Sequence, residues 1–213
     1  MSRRVQFDQY GSEDVLQVIS CFRPLGPSEV VLGPFAGYRY VPGVAAWSSR
    51  DTFVAARLWI DNARWRGVPF YLRTGKRLAA TKRRVSLILR EPAGPLQREA
   101  NVLSFSLAGD GEIELSLVAK RPGPALDIDT AHASIPLAGL DRANPLPPCV
   151  RLIHDVLIGD RSLYTRPDGL AAAWRVADPL LSNPPPIAPY PPGSWGPARA
   201  RKLIEPGRWL LDQ

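Results

Sequence analysis

Residues 101–120, NVLSFSLAGDGEIELSLVAK, constrain this chain more than any other stretch. Leu103, Phe105 and Leu107 alternate with Ser104 and Ser106, so one side of an extended segment is apolar and the other polar. AGDG (108–111) is a turn signal, and Ile113, Leu115 and Leu117 resume the alternation after it. Two strands joined by so short a turn pair only antiparallel. The same reading extends outwards. TFVAARLWI (52–60), VPFYLRTG (68–75) and VSLILRE (85–91) are strand candidates separated by turn-like or basic loops. ASIPLAGL (133–140) adds an edge strand, because Pro136 could not serve a central one.

Helical spacing is confined to the two ends. SEDVLQVISCF (12–22) carries an apolar stripe at Val15, Val18, Ile19 and Phe22, and Pro24 stops it. VRLIHDVLIGD (150–160) is amphipathic, with Gly159 as its natural C-cap. GLAAAWRVADPLL (169–181) is broken at Pro179. Residues 182–197, SNPPPIAPYPPGSWGP, exclude regular structure, and a short helix follows them. Strands and helices are segregated, so the expected class is α+β: a large, mostly antiparallel sheet with helices packed on one face. The expected organisation is an N-terminal helix and connection (1–28), then one compact domain (29–213) with a Pro-rich segment at 183–197. A doubly wound coenzyme domain would alternate strand and helix, and no GxGxxG follows a strand.

The net charge is +7, which favours anionic partners such as phosphate esters or nucleotides. No zinc spacing, RNP-type motif or long basic run points to nucleic acid, which is not expected as a partner. Cys21 and Cys149 lie far apart and form no CxxC, so both read as buried thiols. The first residues lead into polar ones, not an apolar signal segment, and no apolar stretch is long enough for a membrane helix. A cytoplasmic protein without membrane contact is expected.

Three stretches carry a family pattern: DTFVAARLWIDNARWRGVPFYLRTGKRL (51–78), RLIHDVLIGDRSLYTRPDGLAAAWRVADPLL (151–181) and YPPGSWGPARARKLI (190–204). Together they resemble the C-terminal domain of glucose-6-phosphate dehydrogenases, collinearly from about Ser12 onward. The resemblance implies an α+β domain whose antiparallel sheet helps form a dimer. In the family it works with a Rossmann half to oxidise glucose 6-phosphate to the lactone, using NADP or NAD. That half carries the catalytic His–Asp pair and the RIDHYLGK motif, and both precede the part matched here. The resemblance implies Lys76, in RTGK, as a substrate-binding residue. It places Thr81 where members have a second basic substrate contact, with Lys82 and Arg83 adjacent. It places Ala108 where some members use a Gln. Arg73 and Lys82 match positions that hold a second, structural NADP in some members, while Ser86 and Ser106 replace Arg there.

Neither His132, at an expected strand start, nor His154, beside Asp155 on a helix, is expected as the catalytic base. Neighbouring helical residues point about 100° apart. No catalytic residue and no metal ligand is assigned to the chain, and no cofactor is expected to bind it alone, although the family implies NADP. Two functions stay open: a dehydrogenase fragment or split subunit that pairs with a separate coenzyme chain, or a non-catalytic paralogue acting in assembly or regulation. Glucose 6-phosphate or a related sugar phosphate, and either a second copy or a separate dehydrogenase chain, are the expected partners.

Overall fold

The computed structural model describes residues 12–91, 94, 99–107, 111–137, 147–161 and 164–211, with backbone only at 12–14 and 148. The chain forms two compact units: Met1–Ala79 with Pro147–Gln213, and Ala80–Leu146. The α+β class holds, but the described strands lie in two antiparallel sheets where one large sheet was expected.

The first unit holds β1 (Val30–Gly33), β2 (Phe53–Leu58) and β3 (Phe70–Gly75), with β2 central. Its helices are α1 (Ser12–Ser20), α2 (Pro148–Ile158), α3 (Pro167–Ala177), α4 (Pro179–Ser182) and α5 (Arg199–Ile204). Gly159 caps α2 as expected, at φ 72°. β1 falls inside the Gly/Pro-rich stretch LGPSEVVLGPFAGYRYVPGVAAWSS (25–49), whose composition predicts an extended connection. It pairs from Val30 opposite Ala56 to Gly33 opposite Phe53.

Strand β2 explains how this unit is layered. Phe53 and Ala55 point to one face; Val54, Ala56 and Leu58 point to the other. Both rows are apolar, so both faces need cover. The first packs with Val31, Phe35, Tyr190 and, from α5, Ala200 and Leu203. The second packs with Leu25, Val30, Leu32 and, from α3 and α4, Val176 and Leu180. Helices therefore flank both faces of this sheet, not one.

The Pro-rich segment has no regular element, yet it is anchored. Ala188 N–H donates to Leu32 O at 2.9 Å, Tyr190 N–H to Pro34 O at 3.2 Å, and Ala36 N–H to Tyr190 O at 2.8 Å. Prolines lack the N–H a ladder needs, so the segment bonds only where other residues intervene. It runs as a strap along the end of β1, and its one large buried side chain is Tyr190.

The second unit holds β4 (Arg84–Ile88), β5 (Val102–Ser106), β6 (Glu112–Lys120) and β7 (Ile128–Pro136), paired in that order. The turn at Ala108–Asp110 and residues 138–140 of the expected last strand lie outside the described residues. β7 begins earlier than its apolar pattern suggested, with Ile128 opposite Lys120, and Pro136 closes it on the sheet edge. The register gives one face two apolar rows, Val85–Phe105–Ile113–Ile135 and Leu87–Leu103–Leu115–Ala133. The opposite face is polar at one end, with an Arg84–Glu114 ion pair at 2.5 Å and Ser86 Oγ 2.7 Å from Ser104 Oγ, and carries Ile88 and Val102 at the other. Val85 and Ile135 keep 50% and 44% of their surface exposed. Among the described residues, no helix is long and apolar enough to cross a membrane.

Candidate functional site

The end of β3 leads into the RTGK turn. Gly75 sits opposite Phe53, and a Cβ there would lie 2.9 Å from the Phe53 ring and 3.3 Å from Thr52 O. Glycine lets β3 close onto the start of β2. Lys76 N–H then donates to Thr52 O at 2.8 Å. Arg77 adopts φ 50°, its carbonyl accepts from Gly193 N–H at 2.8 Å, and its guanidinium lies 4.8 Å over the Phe35 ring. Ala79 N–H donates to Ser194 O at 2.9 Å. The turn is thus held by β2 on one side and by the strap on the other.

Tyr190 links the two sides. It is 1% exposed, with its ring 5.3 Å from that of Phe53. Its hydroxyl lies 2.7 Å from Lys76 O, 3.1 Å from Thr52 O and 3.0 Å from Thr52 Oγ1. Thr52 Oγ1 also accepts from Phe35 N–H at 2.9 Å. The single Tyr190 proton goes to the nearer carbonyl, Lys76 O, while Thr52 O–H donates to the tyrosine oxygen and Thr52 O accepts from Lys76 N–H. The Lys76 backbone is fixed while its side chain is exposed. Among the described residues, no carboxylate pairs with the Lys76 ammonium. A compact cation on a fixed root suits a phosphate or sugar oxygen.

The other expected site residues are placed differently. Arg73 lies on β3 opposite Ala55, with its guanidinium 5.0 Å from the Trp195 ring and 4.6 Å from the Trp209 ring. Its Nη1 donates to Trp195 O at 3.4 Å, and Trp209 Nε1–H donates to Ala200 O at 2.9 Å. Thr81 and Lys82 are exposed and belong to the Ala80–Leu146 unit, just before β4. Ser86 and Ser106 lie on β4 and its neighbour β5, and Ala108 is outside the described residues.

His132 sits in mid-β7, not at its start, with Nδ1 3.1 Å from Ser116 Oγ on an exposed surface. His154 is exposed, and its Nδ1 lies 3.5 Å from Oδ1 of the buried Asp155, a long contact. The two histidines fall in different units. Among the described residues, no cluster of His, Cys, Asp or Glu could hold a metal ion. Cys149, expected to be buried, is exposed, and Cys21 is half-buried.

Next to the turn, partial burial pushes the Asp51 carboxyl above its ordinary value. Farther off, hydrogen bonding from Arg23 holds Asp61 below it, and Arg166 does the same for Asp168.

Sequence reasoning missed Thr52 and Tyr190. One signal was present: a tyrosine between Pro189 and Pro191 is a large side chain that a solvated tail would not need to bury.

The model of the glucose-6-phosphate dehydrogenase C-terminal domain family matches residues 9–209. The chain belongs to this family. Glucose-6-phosphate 1-dehydrogenase 1 of Mycobacterium tuberculosis is 37% identical over 194 residues, covering 88% of this chain and 41% of the relative. The Treponema pallidum glucose-6-phosphate 1-dehydrogenase is 34% identical over 224 residues, with 91% and 42% covered. The chain thus spans about two-fifths of the length of these relatives. Among solved structures, the Mycobacterium avium enzyme superposes with a TM-score of 0.82 at 33% identity, covering 92% of this chain and 43% of that one. A glucose-6-phosphate dehydrogenase in complex with its substrate glucose 6-phosphate also gives 0.82, at 26% identity, covering 100% and 48%.

Proposed function

We propose that this chain is the sugar-phosphate-binding part of a glucose-6-phosphate dehydrogenase, and that Lys76 is its contact to glucose 6-phosphate. The observation that carries this reading is the Lys76 turn: an exposed ammonium with no carboxylate partner among the described residues, on a backbone held at both its N–H and its C=O. That turn occupies the family's RTGK motif, and a solved relative is described in complex with glucose 6-phosphate. Thr81 carries no charge, so the charge-based grip on a phosphate rests on Lys76.

In this reading the hydride acceptor, NADP, is bound by the part of the enzyme that corresponds to the remaining length of the relatives. The general base comes from there too. His132 pairs with a serine hydroxyl, and His154 makes a 3.5 Å contact to its own helical neighbour Asp155; neither is the arrangement such a base needs. A second NADP at Arg73 and Lys82 is a poor fit. The flat faces of Arg73 stack on two indoles, and Ser86 already pairs with Ser104. The apolar face of the four-stranded sheet is the surface through which a second copy would pair, since so wide a half-exposed patch favours association.

Titration calorimetry of the purified chain with glucose 6-phosphate, with glucose as control, tests the binding role. Saturable heat with the phosphate ester, weakened by Lys76→Met, is expected. No heat from the wild-type chain would turn the balance to a non-catalytic assembly partner.

A further inference from the structure

We propose that Tyr190 is a positioning residue for Lys76, acting through the Lys76 carbonyl; the ligand named here rests on the function proposed above. Lys76 is held at both backbone ends by residues distant in sequence. Its N–H bonds Thr52 O at 2.8 Å and its C=O accepts from Tyr190 at 2.7 Å. The next residue, Arg77, sits at φ 50°, a region that disfavours a side chain. Such a conformation persists only where the surroundings over-determine it. Here they do: the Lys76 carbonyl is tied to Tyr190, the Arg77 carbonyl to Gly193, and the Arg77 guanidinium lies on Phe35.

The tyrosine hydroxyl is the one side-chain group in this set that reaches the Lys76–Arg77 peptide. Without it, the Lys76 carbonyl loses its partner and the peptide is free to rotate. Rotation would let Arg77 leave the left-handed region and would loosen one of the two backbone ties that hold the Cα carrying the Lys76 side chain. Thr52 has a supporting part. Its hydroxyl can donate to the tyrosine oxygen while accepting from Phe35 N–H, which leaves the tyrosine proton for Lys76 O.

A double-mutant cycle tests this. Tyr190→Phe keeps the ring against Phe53 and removes only the hydroxyl. We expect it to weaken glucose 6-phosphate binding about tenfold, the scale of a lost hydrogen bond with its part-buried acceptor left unpaired. In a Lys76→Met background the same change should weaken binding no further, because its effect passes through Lys76. Equal weakening in both backgrounds would mark Tyr190 as merely structural and overturn the proposal, as would unchanged binding in Tyr190→Phe.

Amide hydrogen exchange reads the positioning without any ligand. Tyr190→Phe should speed exchange at Lys76 about tenfold or more and leave Val31 and Ala55 protected. If the wild-type chain binds no glucose 6-phosphate but this local change occurs, the binding role fails and the positioning role stands. Unchanged Lys76 exchange overturns the positioning role. Should Tyr190→Phe not fold, Thr52→Val reads the same network, with Thr52→Ser expected to restore wild-type exchange and failure to restore it counting against the proposal.

Discussion

Gly33→Ala tests the strap where it presses closest on the sheet. A Cβ at Gly33 would lie 2.6 Å from the carbonyl carbon of Ala188 and 3.3 Å from its nitrogen, and closer still to the carbonyl oxygen. These are backbone atoms, so no side chain can swing aside. Either β1 or the strap must move. Overpacking of this kind costs about 1–3 kcal/mol. The displaced strap would also strain the Ala188–Leu32 and Tyr190–Pro34 hydrogen bonds, each worth about 1 kcal/mol net. A total near 3 kcal/mol lowers Tm by about 6–12 °C at this chain length. All 6 tryptophans lie in the unit that holds the strap, so their fluorescence reports that unit alone. Gly193→Ala is the control: it sits at φ 78° with nothing within 4 Å of its Cβ. Its cost is backbone strain alone, about 1–2 kcal/mol. A Gly33→Ala protein that melts with the wild type, or no lower than Gly193→Ala, would refute the packing of strap on β1.

Three further outcomes are expected. Arg73→Met should blue- or red-shift tryptophan emission and destabilise by about 1–2 kcal/mol, since two cation–π contacts are lost; unchanged emission would argue against the stack. Burial raises the Asp51 pKa, so the folded state disfavours its charged form and the carboxylate destabilises the fold above that pKa. Asp51→Asn should therefore raise the melting temperature at pH 7 and leave it unchanged near pH 3, whereas Asp61, held low by Arg23, contributes stability above about pH 4 that is lost as pH falls. Ile113→Lys, in the middle of the apolar sheet face, should shift a self-associating chain toward monomer in sedimentation analysis; an unchanged mass would remove that face as the pairing surface.

How far the sequence reached depended on how local each feature is. The β5–β6 hairpin was legible because its alternation and its turn lie within twenty consecutive residues. Strand β1 was not, because VVLG is a strand only by pairing with β2. TFVAARL carries apolar residues on both faces of β2, but the helices that cover them lie more than a hundred residues away, beyond any local pattern. The Pro-rich segment was read correctly as irregular, but irregular backbone can still be anchored, and Tyr190 is the proof of that. The same distinction governs the site. Lys76 was found because it lies inside a contiguous motif. Thr52 and Tyr190 form their contact across 138 positions, which no local pattern contains. Arg73 was found as a cation, but its two indole neighbours come from the distant C-terminal stretch.

Lys76 in a glucose 6-phosphate site is the centre of the account, and turnover by the native protein tests it most directly. The protein would be purified from its own cells with whatever coenzyme-binding part accompanies it, then assayed for NADP reduction driven by glucose 6-phosphate. The wild-type preparation should turn over, and Lys76→Met should lower kcat/KM about 10–100-fold, the scale of a lost hydrogen bond to a charged group. A preparation that never reduces NADP, or one indifferent to Lys76→Met, would contradict the account.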